Sequence, residues 1–341
     1  MKQTLTTLLL CFCLFLAYSK DEPSIFNYFQ REQILNLTFE TDLGQLIKKK
    51  SRENYQEASL TYLDLAGVEQ VKNIKVRARG NSRKSTCYYP PLKLKFAKDA
   101  LQAAGLRSDF NKLKLVCQCR KGEAYEQYLI KEYLAYRMFN ELSPMSFRVQ
   151  LVAIHYVDHA QKIKPFTSYG FLIEPAKELA ARFEGTPYRS SVLNPKYTLP
   201  EQTNLLYLFQ YMIGNTDWAI ANNHNVFSFR TYRYSLPVCV PYDFDYAGMV
   251  NTVYAVPNEN LPIKNVTQRL FRGICRSAGT YESVAQLFIQ KKGIFYQIIE
   301  ENQELNFKSK RWMNGYLDEF FGILERPRSF QQAVIGYCRG K

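Results

Sequence analysis

Histidine is scarce in this chain, with three residues in 341, and tryptophan is scarcer still, with two. Cysteine reaches eight, but Cys117 and Cys119 stand one residue closer than a C-x-x-C pair. A zinc site takes four nitrogen or sulfur ligands at recurring spacings, so zinc chemistry is disfavoured. No G-x-G-x-x-G loop occurs, and phosphate would have to be gripped by other means. Beyond residue 19 no apolar run reaches the roughly 20 residues of a membrane-spanning helix. Acids are outnumbered, 31 Asp and Glu against 45 Lys and Arg, for a formal charge of +14. Such a surface suits acidic partners: nucleotide phosphate, anionic glycans or an acidic cell envelope. A basic solvated face explains most of these lysines equally well, and no nucleic-acid motif accompanies the charge, so no nucleic-acid partner is expected.

Residues 1–19 read as a targeting segment. Lys2 supplies the positive end, Leu8 to Ala17 a short apolar run, and Ala17-Tyr18-Ser19 a cleavage pattern before Lys20. The mature chain is then exported (periplasmic, secreted or cell-surface), with no transmembrane segment after cleavage. Six cysteines remain, at 87, 117, 119, 239, 275 and 338. An even number in an oxidising compartment predicts one or more disulfides, whose pairing the sequence does not reveal. About 320 residues can bury a substantial core, as one large domain or as two lobes.

The most informative stretch runs from Ile213 to Val250. Asp217, Asn222, His224 and Asn225 precede an alternating run, Val226 to Phe229; Asp243 and Asp245 follow a second apolar run, Val238 to Val240. This is a hairpin, and antiparallel strands of similar length bring both flanking loops to one edge. Oxygen donors gathered there suit a hard cation such as Mg²⁺, which takes one or two carboxylates and leaves other positions to water and phosphate. Asp217 is placed to orient or deprotonate a hydroxyl. Turn chemistry alone, in which Asn, Asp and Gly bond nearby backbone, explains Gly214 and Asn215 but not acids at both ends of one hairpin. His224 by itself reads better as a hydrogen-bonding residue than as a metal ligand.

Upstream, period-2 alternation predicts strands in LNLTFETD, ASLTYLDLAG, NIKVRARG, YYPPLKLKFAKD, KLKLVCQCR, SFRVQLVAIHYVD and TSYGFLIEPA. Consecutive strands of this kind imply an antiparallel sheet. EAYEQYLIKEYLAYRMFNELSP reads as a helix stopped by Pro144, KELAARFEG as a short helix, and TLPEQTNLLYLFQYM as the helix that delivers Asp217. Three further helices are expected in NVTQRLFRGICR, YESVAQLFIQKKGIFYQIIEENQ and SKRWMNGYLDEFFGILE. Arg269 and Arg272, one turn apart, read as a salt-bridging surface pair rather than an anion site.

The order Asp217, Asn222, His224-Asn225, aromatic strand, Pro-Tyr-Asp-Phe-Asp resembles the CotH family of secreted, protein-kinase-like proteins, as does RGNSR leading into the Lys-bearing strand LKLKF. The likeness spans roughly residues 60–275 and is strongest in the acidic hairpin. It implies an α+β, two-lobed protein-kinase-like fold: an N-terminal antiparallel sheet with one helix over 20–174, and a mostly helical C-terminal lobe carrying the hairpin over 175–341. Asp217 then matches the catalytic Asp, Asn222 or Asn225 the metal Asn, and Asp243 the metal Asp; Asp245 is a second metal ligand or a loop-fixing residue. Lys93 or Lys95 would pair the nucleotide phosphates and be met by Glu126 or Glu132. Arg79, Asn81 and Ser82 would contact phosphate, and Glu174 would mark the link between lobes, beside the adenine. The expected function is an exported kinase with ATP and Mg²⁺ or Mn²⁺ as cofactors, phosphorylating a protein or other hydroxyl-bearing substrate, possibly acidic. The alternative, from a different class, is a cell-envelope binding or adhesion protein that keeps the fold without catalysis. A Ca²⁺ module would need more carboxylates than one hairpin carries.

Overall fold

In Leu35–Thr41 (β1), Leu35, Leu37, Phe39 and Thr41 are buried while the residues between them are not. This is the period of a strand with one face on a core. The computed structural model describes residues 22–50, 54–80, 82–190 and 192–340; the targeting segment at 1–19 and Asn81 lie outside the described residues. The strands Gln56–Leu63 (β2), Glu69–Ala78 (β3), Leu92–Phe96 (β4), Lys112–Cys117 (β5), Val149–Asp158 (β6) and Phe166–Ile173 (β7) follow. Pairing is antiparallel along β1-β2-β3-β4-β5-β7-β6.

The sheet departs from expectation in one respect. β1 also pairs with β6, in parallel, from Leu35 opposite Val152 to Thr41 opposite Asp158, so the sheet closes into a seven-stranded barrel. Closure removes the unpaired edges that an open sheet would leave. Its interior is packed with side chains such as Phe39, Leu60, Val76, Leu94, Leu113 and Ile154. Four short helices accompany it: Ile25–Phe29 (α1), Leu43–Lys48 (α2), Ser82–Thr86 (α3) and Lys98–Ala103 (α4).

Glu123–Leu142 (α5) starts after Gly122, whose φ of 116° suits glycine, and ends at an extended Ser143 just before Pro144. It packs on β6, β7 and the C-terminal helices, which is why nearly all its faces are buried. Its core is shared with everything downstream: Ala176–Arg182 (α6), Pro200–Met212 (α7), Thr280–Gln290 (α8), Lys292–Glu300 (α9), Phe307–Leu324 (α10) and Pro327–Phe330 (α11). A small sheet joins Gly185–Pro187 (β8), Val226–Thr231 (β9) and Val238–Pro241 (β10) in the order β10-β9-β8. The fold is α+β, but with a closed barrel in place of an open N-terminal sheet.

Two helical expectations change. Residues 265–276 are irregular, because their backbone pairs with the chain end instead: Cys275 N–H donates to Arg339 at 2.9 Å and Arg339 N–H to Gly273 at 2.9 Å, beside a Cys275–Cys338 disulfide. The long helix expected from residue 281 breaks at Lys291, whose ψ of 1° is not helical. A second disulfide joins Cys87 and Cys119. Cys117 and Cys239 are free and buried, and burial pushes their thiols up to about 11 and about 12, which makes them inert. No helix among the described residues is long and apolar enough to cross a membrane. Disulfides and this absence are both compatible with an exported protein.

Candidate functional site

The hairpin forms as expected. Val226 on β9 faces Pro241 on β10, and Tyr242 N–H donates to Asn225 at 3.1 Å, so the loops before β9 and after β10 meet. They open into a cavity of about 490 Å³ whose lining includes Asp217, Asn222, Asn225, Asp243 and Asp245. The segment after β3 contributes Arg79 and Gly80 to the same cavity, α3 contributes Arg83, β5 contributes Lys114 and Val116, and α5 contributes Tyr136.

Local backbone fixes each acid. Past α7 the chain turns at Gly214, whose φ is 65° and where an added Cβ would lie 1.9 Å from the Tyr316 hydroxyl. Asn215 accepts from Asp217 N–H at 3.0 Å and, through its carbonyl, from the Trp218 indole at 3.0 Å. Asp217 is then held on both carboxylate oxygens: His224 Nε2 lies 2.8 Å from Oδ1, and Asn225 Nδ2 donates to Oδ2 at 3.0 Å. Asn225 and Asp243 have φ of 50° and 66°, the left-handed region that Asn and Asp tolerate better than most residues. Asp243 N–H donates to the Tyr136 hydroxyl at 2.8 Å. Its neighbour Phe244 is fully buried against Tyr136, ring centroids 4.6 Å apart, which clamps the turn.

The charges divide into two corners. In one, Asp245 is buried, accepts from Tyr254 Oη at 3.2 Å and lies 3.7 Å from Arg83 Nε. Arg83 also donates to Glu132 at 3.0 Å. Burial, and then the charge of Asp243, holds the Asp245 carboxyl well above the usual range. Burial raises Glu132 too, against the opposing pull of Arg83. In the other corner stand Arg79 and Lys114, neither with an acidic partner at ion-pair distance among the described residues. Burial, reinforced by Arg79, lowers the Lys114 ammonium to about 8. Its Nζ sits over the Tyr242 ring, 5.1 Å from the centroid.

Several expected site residues are placed elsewhere. Lys93 and Lys95 do not line the cavity; the lysine that does is Lys114, paired with Lys93 across the β4–β5 ladder. Lys95 instead lies over Tyr55, 5.5 Å from its centroid. Glu132 meets Arg83 and not a strand lysine, since α3 brings the guanidinium between β5 and α5. Glu174 is buried in a cluster with Arg148 and Arg182 and does not line the cavity. Ser82 begins α3, and its side chain, like Asn81, lies outside what is described. Arg269 pairs with Glu319 at 2.9 Å, whereas Arg272 turns inward and donates to the carbonyls of Thr216 and Trp218 on either side of Asp217. Lys114 and Arg83 are the residues that sequence reasoning missed, and Arg272 is one it placed on the surface. Lys114 had a signal, since Lys112-Leu113-Lys114-Leu115 alternates just as Leu92 to Phe96 does, and Arg83 closes the RGNSR run.

No family model matches the chain, and no curated protein matches its sequence. Among solved structures, a proinflammatory kinase of Helicobacter pylori, CtkA, is similar at a TM-score of 0.36 and 11% identity, over 82% of this chain and 93% of that one.

No three His, Cys, Asp or Glu side chains among the described residues are gathered to hold a metal ion. The donors at the hairpin mouth are instead a carboxylate and amides. Asn225 uses its Nδ2 on Asp217, which leaves Oδ1 as an acceptor, and the Asp243 carboxylate makes no hydrogen bond or ion pair among the described residues. One carboxylate and an amide oxygen, completed by water and phosphate, fit a Mg²⁺-type ion.

Proposed function

We propose that the chain is an exported, CotH-like kinase that transfers the γ-phosphoryl group of ATP to a hydroxyl of a protein or other substrate. The observation that carries this reading is the meeting of Asp217, Asn222, Asn225 and Asp243 with the unpaired cations Arg79 and Lys114 in one cavity. The barrel and the helical part then serve as the two lobes. Arg79 and Lys114 bind and orient phosphate oxygens, a role suited to a fork and a point charge without competing acids. Asp217, held in orientation by His224 and Asn225, accepts the proton of the attacking hydroxyl as the new O–P bond forms and the bond to the departing ADP breaks. Mg²⁺ or Mn²⁺, held by Asp243 with Asn225 or Asn222, supplies neutralising charge when bound. Asp245, tied to Tyr254 and Arg83, fixes the loop and is not a ligand in this reading.

One observation favours the second reading, a binding protein that keeps the fold without catalysis: both Asp217 oxygens already have partners. A thermal-shift titration with ATP and Mg²⁺ or Mn²⁺ separates the two, because a ligand that binds only the folded state raises Tm by mass action. A metal-dependent rise that Asp243→Ala abolishes and Asp217→Ala retains is expected. No shift in any form at millimolar nucleotide selects the binding protein.

A further inference from the structure

We propose that Arg83 is the positioning residue of this site and that the Cys87–Cys119 disulfide sets it in place, so that the site depends on that bridge staying intact. The proposal deepens the nucleotide reading above and rests on it.

Three carboxylates, Glu132, Asp243 and Asp245, crowd the buried corner, each within reach of the others' charge. Arg83 alone, among the described residues, makes an ion pair there: with Glu132 at 3.0 Å and Asp245 at 3.7 Å. Its Nε and the Oε1 of Glu132 are buried without a hydrogen-bond partner, so the guanidinium holds the acids by charge and not by a closed network. Without it, Asp245 and Glu132 face each other uncompensated, and the turn carrying Asp243 keeps its Tyr136 clamp but loses the ion pair that holds its far end at Asp245. The loop beyond is tied to the same point through Tyr254 on Asp245.

The disulfide enters through α3. A five-residue helix does not hold itself in place. Cys87 follows α3 directly and its N–H donates to the Arg83 carbonyl at 3.0 Å. It is bridged to Cys119, two residues beyond Cys117, whose carbonyl accepts from Arg83 Nη2 at 3.3 Å. Arg83 is thus fastened to the end of β5 twice, by backbone through the disulfide and by its own side chain. The end of α3 and Cys87 themselves line a second cavity, about 630 Å³, together with Lys50, Tyr88, Arg120 and Lys121.

The test measures Mg·ATP affinity and amide exchange over residues 243–255. Wild type is compared with Arg83→Gln, Arg83→Lys, Cys87→Ser/Cys119→Ser and, as control, Cys275→Ser/Cys338→Ser. Arg83→Gln and the first cysteine pair should weaken affinity about tenfold or more and speed exchange in the segment about tenfold. Arg83→Lys should recover part of both, which loss of packing alone would not produce, and the control pair should change neither. If wild type binds no nucleotide, the kinase reading fails and the exchange data still judge Arg83. Unchanged exchange in Arg83→Gln overturns the positioning role. Should that variant not fold, Arg83→Met takes its place, and wild-type exchange and affinity in it, or in the Cys87→Ser/Cys119→Ser variant, overturns the corresponding half of the proposal.

Discussion

Glu174 and Glu132 are both buried acids facing arginines, and their surroundings otherwise differ. Glu174 accepts from Arg148 Nε and Nη2, from Arg182 Nε and Nη2, and from the Arg148 backbone N–H, at 2.7–3.1 Å. Glu132 accepts one bond from Arg83, and its other oxygen has none. A saturated cluster fixes structure, since every lone pair that folding removed from water is met again. An under-satisfied one, crowded by Asp243 and Asp245 beside an open cavity, holds its charges in a state that a ligand can complete. The difference places Glu174, expected beside a nucleotide, in the scaffold that joins β7 to α6.

The largest effect that tests this contrast is expected from Glu174→Ala. It leaves Arg148 and Arg182 facing each other without their shared acid, and breaking such a buried pair costs about 3–5 kcal/mol. Denaturant unfolding should show that loss, while any nucleotide-induced rise in Tm persists in the folded fraction. A cost below about 1 kcal/mol would mean that the saturated cluster is not structural, and the contrast would collapse.

Lys114→Met comes next. It removes a half-buried cation that has no acid at ion-pair distance among the described residues, so folding should hardly suffer, whereas phosphate-bearing ligands should bind about ten- to a hundredfold more weakly, the value of a charge-assisted bond. The pH dependence has a definite sign. With its folded pKa lowered from 10.5 to about 8, Lys114 is deprotonated in the folded state and still protonated in the unfolded state between those values. Its contribution to stability therefore rises with pH through that window. Ligand affinity moves the other way: flat below about pH 8, falling above it as the ammonium is lost. An affinity independent of pH from 7 to 9.5 would remove Lys114 from the binding step.

How far the sequence carried depended on the range of the interaction. The hairpin site was legible because its acids and amides lie within one short stretch, and two local rules, antiparallel pairing and turn chemistry, bring Asp217, Asn225 and Asp243 together. The strands of the first half were legible too, since alternation is local. The barrel was not, because its closure rests on β1 meeting β6, a parallel contact between distant segments with no local signature. Lys114 was missed for a related reason. Lys93, Lys95, Lys112 and Lys114 share one alternating pattern, and only the position of the hairpin mouth relative to β5 selects among them. The helix expected at 265–276 failed where the Cys275–Cys338 bridge and the pairing to Arg339 outcompeted local periodicity.

Asp243→Asn sharpens the contrast from the other side. Asparagine tolerates the φ of 66° that this turn demands, and the change removes one negative charge from beside Asp245 and Glu132. Stability should stay within about 1 kcal/mol of wild type, with the change on the stabilising side. The metal-dependent shift in Tm should nevertheless vanish. A comparable mutation in the saturated cluster would show the reverse, stability lost and ligand response kept.

The smallest effect is expected at Lys95, where a kinase-like reading of LKLKF places a phosphate contact. The half-buried side chain lies over Tyr55 and outside the cavity, and a cation–π contact that is not fully desolvated is worth about 1 kcal/mol. Lys95→Ala should therefore cost no more than that in unfolding experiments and leave Mg·ATP affinity within about twofold. The comparison with Lys114→Met is informative because both lysines sit on adjacent strands with the same alternation. If Lys95→Ala weakens nucleotide binding as strongly as Lys114→Met, the phosphate corner extends across β4, and proximity to the hairpin mouth is not what selects the contacting lysine.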